Sequence, residues 1–170
     1  AQSTTEVRTF EVLSTNIIRQ QLETVLDDIT VDAVKTGMLP TPEIVEIVAE
    51  IIDKYSLNTI IIDPAMAATT GAKLSSAPTV NAIREKLFPR AYLITPNVPE
   101  AEALSGIEIH DEKDIFTAAE AIMNMGCKAV LIKGGHMKSE NATEILFQQG
   151  KEPTRVSKPL IDTNNVHGTG

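Results

Sequence analysis

An alternation along this chain leaves few folds open to it. Short apolar runs rich in β-branched residues are separated by longer segments with helical periodicity. The runs VDAVK (31–35), NTIIID (58–63), AYLIT (91–95) and KAVLIKGG (128–135) predict strands. Between and before them lie helical patterns. In 14–28, Ile17, Ile18, Leu22, Val25 and Leu26 fall on one face. In 41–55, Thr41 is placed to cap and Pro42 to occupy the first turn. Segment 76–88 reads as helix, as does 99–106, with Pro99 at its first position and Gly106 past its end. The pattern over 112–126 predicts a helix closed by Gly126. TEILFQQG (143–150) and TRVSKP (154–159) read as weaker strands.

Strand, helix, strand, helix implies an α/β fold with a mostly parallel sheet flanked by helices. The strand runs lack polar alternation, as expected where both faces are covered, so three layers are expected. Crossovers are right-handed by default. No linker or repeat divides the 170 residues, which suffice for one domain with a real core.

Composition narrows the function. A net charge of −8 argues against nucleic-acid or acidic-membrane partners. No apolar stretch approaches the roughly 18 residues of a membrane span. The single cysteine, Cys127, rules out an internal disulfide and fits a reduced, cytoplasmic setting. It follows a helix and precedes a strand, a structural position.

Parallel sheets bind ligands beyond the carboxyl ends of their strands. The predicted strands exit into TGML, DPAMAATTG, TPNVPE, KGGHM and, after the last, HGTG. Their convergence on one edge predicts a site there. Each residue has two readings. Asp63 either forms a turn or holds charge for a metal or phosphate. Asn97 and Glu100 either cap a helix or reach a hydrated Mg²⁺. Lys133 either snorkels from a strand end or meets a phosphate, with Gly134 and Gly135 allowing close backbone approach. Lys35 reads as a solvated strand end, and His136 and His167 as polar loop residues. Met38 and Met66 either fill core gaps or line the ligand edge. The acidic stretch EIHDEKD reads as a solvated helix start. No G-x-x-x-x-G-K-[ST] loop, G-x-G-x-x-G turn, H-E-x-x-H or G-x-S-x-G motif is present.

Taken together, KTGML, DPAMAATTG, LITPNVPEAEAL, VLIKGGH and NNVHGTG resemble, in this order, the hydroxymethylpyrimidine/phosphomethylpyrimidine kinases of thiamine biosynthesis. Their fold is ribokinase-like. The resemblance runs from Ala1 to Gly170 and implies an interior portion of one kinase domain. An opening strand and glycine-rich segment would precede it, and the catalytic residue would come just after Gly170.

The resemblance further implies ATP and Mg²⁺ as cofactors, a small pyrimidine as substrate and, since the family commonly forms dimers, a homodimer as the assembly. By position, Gln2, Met38 and Ala65 would line the pyrimidine pocket. Ala65 stands where the family has valine, and Ser3 and the stretch Thr70-Gly71-Ala72-Lys73 also depart from its pattern. Asp63, Asn97 and Glu100 would serve Mg²⁺ and nucleotide, with Asp63 and Glu100 meeting the metal through water. Lys133 would lie on the ATP phosphates. Gly168, Thr169 and Gly170 would form an anion hole. Pyridoxal kinases share most of these loops and are the alternative of like chemistry. A non-catalytic ligand-binding module is the alternative of another class.

Overall fold

The computed structural model describes residues 1, 8–66, 75–134 and 141–159. Helix α1 (Thr15–Asp28) is followed by strand β1 (Val34–Thr36), helix α2 (Pro42–Lys54) and strand β2 (Ile60–Ile62). Next come helix α3 (Ala77–Ala82), a wide turn over Ile83–Leu87, a tight turn over Phe88–Arg90 and strand β3 (Leu93–Ile94). Helices α4 (Val98–Ser105) and α5 (Glu112–Met123) lead to strands β4 (Ala129–Lys133), β5 (Asn141–Gln148) and β6 (Thr154–Pro159).

The strands form one sheet in the order β1-β2-β3-β4-β5-β6. The first four are mutually parallel, and β5 and β6 fold back as antiparallel neighbours. Two reversals return β6 to the direction of β4. The carboxyl ends of β1 to β4 and of β6 therefore share one edge, and β5 starts there.

Several element bounds differ from the sequence expectation, each for a local reason. Strand β1 begins at Val34 because its pairing begins there, where the Val34 amide donates to the Thr59 carbonyl at 2.9 Å. The helix expected over 76–88 is α-helical only to Ala82. Pro89 has no amide to donate to the carbonyl four residues back, and the chain widens and then tightens ahead of it. Pro99 sits at the second helical position of α4, after Val98, not the first. Helix α5 ends at Met123 with Asn124 as its cap; Gly126 lies beyond, at φ 114°. A side chain at Gly126 would also come within 3.0 Å of the Pro89 backbone. Thr41 caps α2 as expected, accepting the Ile44 amide, and Ser14 and Ser76 cap α1 and α3 in the same way through the amides of Ile17 and Thr79.

Alternation along the strands sorts the sheet's two faces. Ile60, Ile62, Ile94, Val130, Ile132, Ile145 and Phe147 are buried and join one cluster with Val45 and Ile52 of α2, Leu104 of α4, Ile122 of α5 and the fully buried Phe88. Burying such a side chain contributes about 1.5–3 kcal/mol. Sequential strand order with right-handed crossovers puts α2 to α5 on this face. On the opposite face Ile61, Leu93, Leu131 and Leu146 are only half-buried. Of the layers expected, the described residues thus show the sheet and the helical layer on one face. Helix α1 has no buried residue and packs on α2, where Arg19 pairs with Glu50, and Lys54 with Glu23 at 2.9 Å. Among the described residues no helix is long and apolar enough to cross a membrane.

Candidate functional site

Asp63 follows β2 directly, and its amide donates to the Thr36 carbonyl at 3.2 Å, extending the β1–β2 pairing by one residue. Its carboxylate lies between two ammonium groups. Lys35 of β1 donates to Oδ2 at 2.9 Å, and Lys133, the last residue of β4, stands 3.8 Å from Oδ1. Strand parity puts all three on the half-buried face of the sheet, at its carboxyl edge. Side-chain exposure is 25% for Asp63 and 22% for Lys133, against 56% for Lys35.

The β3 exit joins this group through the backbone. The Lys133 amide donates to the Pro96 carbonyl at 2.9 Å, and Asn97 bridges to Lys133. Asn97 then caps α4: its side chain accepts the Glu100 amide at 2.9 Å, and Glu100 Oε2 accepts the Asn97 amide at 2.9 Å. Glu100 is buried, at 6% exposure. Its Oε1 accepts the Met66 amide at 3.2 Å, which ties the β2 exit to the start of α4. The capping reading of Asn97 and Glu100 is therefore realised in full. Each Glu100 oxygen keeps further lone pairs, so capping and ligand binding are compatible.

Ala65 lies between Asp63 and Met66 with φ 39°, a left-handed conformation that costs an L-residue about 1–2 kcal/mol. A β-branched side chain would be more strained there. The alanine that stands where the family has valine is thus also a backbone feature. Met38 lies two residues past β1 on the same edge, 39% exposed. Met66 packs against the core cluster.

Gly134 has its own geometric reason: a side chain there would fall 2.0 Å from the Thr143 carbonyl oxygen. Its missing side chain admits β5 beside β4 next to Lys133. Cys127 is buried far from this edge, and burial pushes its thiol up to about 11. Gln2, Ser3, residues 70–73, Gly135, His136, His167, Gly168, Thr169 and Gly170 lie outside the described residues.

Asp63, Asn97, Glu100 and Lys133 thus meet at one edge, as the sequence implied. The partnership of Lys35 with Asp63 was missed there. Its only signal was a lysine inside an otherwise apolar strand. A cleft of about 480 Å³ opens at the opposite edge, between α1 and the starts of β1 and β2, lined by Leu26, Ile29, Tyr55 and Asn58 among others; it holds none of the candidate residues.

Within the trio of Lys35, Asp63 and Lys133 two cations face one carboxylate, a local positive excess in a chain of net charge −8, while the Glu100 oxygens are turned to the backbone amides of Met66 and Asn97. That excess suits an anion with several charged oxygens. Among the described residues no group of three or more His, Cys, Asp or Glu could cage a metal. The donor set fits instead an ion that keeps waters and arrives with phosphates, the habit of Mg²⁺.

Comparison with known proteins gives the family. The phosphomethylpyrimidine kinase family matches residues 1–170. A hydroxymethylpyrimidine/phosphomethylpyrimidine kinase of Bacillus subtilis is 44% identical over the whole of this chain, which covers 63% of that protein. A thiamine biosynthesis bifunctional protein of Geobacter sulfurreducens is 40% identical, again over the whole chain and 34% of its own length. The crystal structure of a phosphomethylpyrimidine kinase from Clostridium difficile superposes with a TM-score of 0.82 at 38% identity, covering 91% of this chain and 66% of that one. An ADP complex of a Bacillus subtilis pyridoxal kinase gives 0.82 at 39% identity, over 92% of this chain and 58% of that one. The chain spans somewhat under two thirds of the single-function kinases it matches. Its α/β architecture is that of the ribokinase-like kinases. The chain belongs to the phosphomethylpyrimidine kinase family.

Proposed function

We propose that this chain is part of an ATP-dependent kinase of thiamine biosynthesis. It phosphorylates 4-amino-5-hydroxymethyl-2-methylpyrimidine and then its monophosphate, giving the diphosphate. The observation that carries the reading is the Asp63 carboxylate set between Lys35 and Lys133 at the carboxyl edge of the sheet. This is a local cationic spot where a parallel sheet receives ligands.

In this reading the substrate hydroxymethyl oxygen bonds to the γ-phosphorus of ATP, the bond to the ADP oxygen breaks, and the hydroxyl proton leaves to a base. Lys133 draws negative charge from the transferring phosphoryl group as a point cation. Asp63 and Glu100, with Asn97 beside them, would hold Mg²⁺, and the ion would neutralise phosphate charge. Gln2, Met38 and Ala65 border the pyrimidine. Gly168, Thr169 and Gly170 supply backbone N–H groups for developing charge, and the catalytic residue follows them. Residues 1–170 belong to one kinase domain, and the enzyme works in the cytoplasm, where the free thiol of Cys127 is at home.

The test uses the intact protein with ATP, Mg²⁺ and the hydroxymethylpyrimidine, following phosphorylated product. Lys133→Ala should lower turnover by about 10²-fold or more while leaving the unfolding midpoint close to that of the parent. Near-normal turnover in that variant would remove Lys133 from its role. No product from the parent protein would remove the reading itself. One observation supports a second reading: the solved pyridoxal kinase superposes as closely as the solved pyrimidine kinase. Offering pyridoxal and the pyrimidine side by side decides between them.

A further inference from the structure

The kinase reading gives Lys133 a role and leaves Lys35 without one. The arrangement of charges supplies it, and the following rests on that reading. Asp63 has two oxygens and two cationic neighbours, but they are held unequally. Lys35 makes the true hydrogen bond, 2.9 Å to Oδ2, from a side chain more than half exposed. Lys133, far less exposed, remains 3.8 Å from Oδ1, beyond hydrogen-bond reach. Glu144 lies opposite Lys133 in the β4–β5 register, yet is not among its ion partners. The better-buried ammonium is thus the less committed one. A carboxylate beside a single lysine would close on it and spend its charge. Here the carboxylate is already engaged from β1.

We infer that Lys35 is a positioning residue of the phosphate site: by engaging Asp63 it keeps the Lys133 ammonium available to an incoming polyphosphate. Removing the Lys35 charge frees Asp63 to close on Lys133, and the cluster falls from net positive to neutral. The ligand it serves is a nucleoside polyphosphate. The effect is electrostatic and acts on binding, so it is present before any phosphoryl transfer.

The test is calorimetric titration of the intact protein with ADP in EDTA, which removes any metal bound to Asp63. Lys35→Met should weaken binding about fivefold, the scale of one lost charge near a solvated site. Lys35→Arg should stay within about twofold of the parent, since it keeps the charge. The double variant Lys35→Met/Asp63→Asn should recover most of the loss, because the carboxylate that would close on Lys133 is gone. A merely structural role for Lys35 would give no such recovery. Lys35→Gln repeats the test if the methionine variant folds poorly. ADP binding unchanged in Lys35→Met, or a double variant no better than the single one, overturns the inference while leaving the kinase reading standing. A parent protein that binds no ADP overturns both.

Discussion

Glu100 accepts the Met66 amide at 3.2 Å, although 34 residues separate them in the chain. Its other oxygen accepts the Asn97 amide at 2.9 Å. One buried carboxylate thus holds together the exits of β2 and β3, and with them the neighbourhood of Asp63 and Lys133. A carboxylate offers an acceptor to each donor, whereas a carboxamide must turn an NH₂ toward one of them. Glu100→Gln should therefore destabilise the protein by about 1–3 kcal/mol, the cost of a buried donor left unmet. Urea unfolding measures this, and hydrogen exchange at Met66 should quicken. An unchanged midpoint would mean that Glu100 serves only a ligand.

Gly134 and Gly37 give a contrast within one site. A side chain at Gly134 would lie 2.0 Å from the Thr143 carbonyl oxygen, whereas at Gly37 it would meet nothing within 4 Å. The Thr143 obstacle is backbone in a paired strand and cannot swing aside. Gly134→Ala should force β4 and β5 apart and cost about 1–3 kcal/mol, as overpacking does. Gly37→Ala should leave stability within about 0.5 kcal/mol of the parent. Thermal unfolding of the two variants checks both, and equal shifts would contradict the close approach.

Much of the helical architecture was legible because helix ends are written locally. Thr41-Pro42 fixes the start of α2, and Asn97 with Glu100 three residues on forms the capping box of α4. Strand bounds were less legible, since they depend on where the neighbour begins; β1 starts only where Thr59 meets it. The reversal of β5 was hidden, because an apolar run carries no direction. Convergence at the carboxyl edge was readable from the exits alone. The Lys35–Asp63 pair was not, because 28 residues and a sheet register lie between the partners. The positive φ of Ala65 left no mark on composition, as it belongs to a turn held from outside by Glu100.

Arg90 donates to both oxygens of Asp53, at 2.8 and 2.6 Å, and to the Lys86 carbonyl at 2.6 Å, fastening the turn before β3 onto α2. The Arg90 guanidinium holds the Asp53 carboxyl below its ordinary value, and the amides of His110 and Asp111 do the same for Asp114. A carboxyl depressed on folding adds stability above its unfolded value, about pH 4, and that stability is lost as pH falls through the folded value. Asp53→Asn should therefore lower the urea midpoint near neutrality, and the gap to the parent should narrow progressively as pH falls below about 4 and the parent's Asp53 takes up its proton. A gap that persists in acid would assign the effect to packing instead.

Cys127 tests the core from the chemical side. It is 1% exposed, its thiol donates to the Ile122 carbonyl, and burial pushes it up to about 11. The thiolate is the reactive form, so at pH 8 only about one thiol in a thousand would be ionised even if reagent could reach it. Iodoacetamide should leave the folded protein unmodified over hours and label it fully once urea unfolds it, read by mass spectrometry. The sulfur joins a cluster shared by α5, β4 and β5, so the labelling rate also reports how often that cluster opens. Labelling of the folded protein at the rate of a free thiol would place Cys127 at the surface and break the packing of α5 on the sheet.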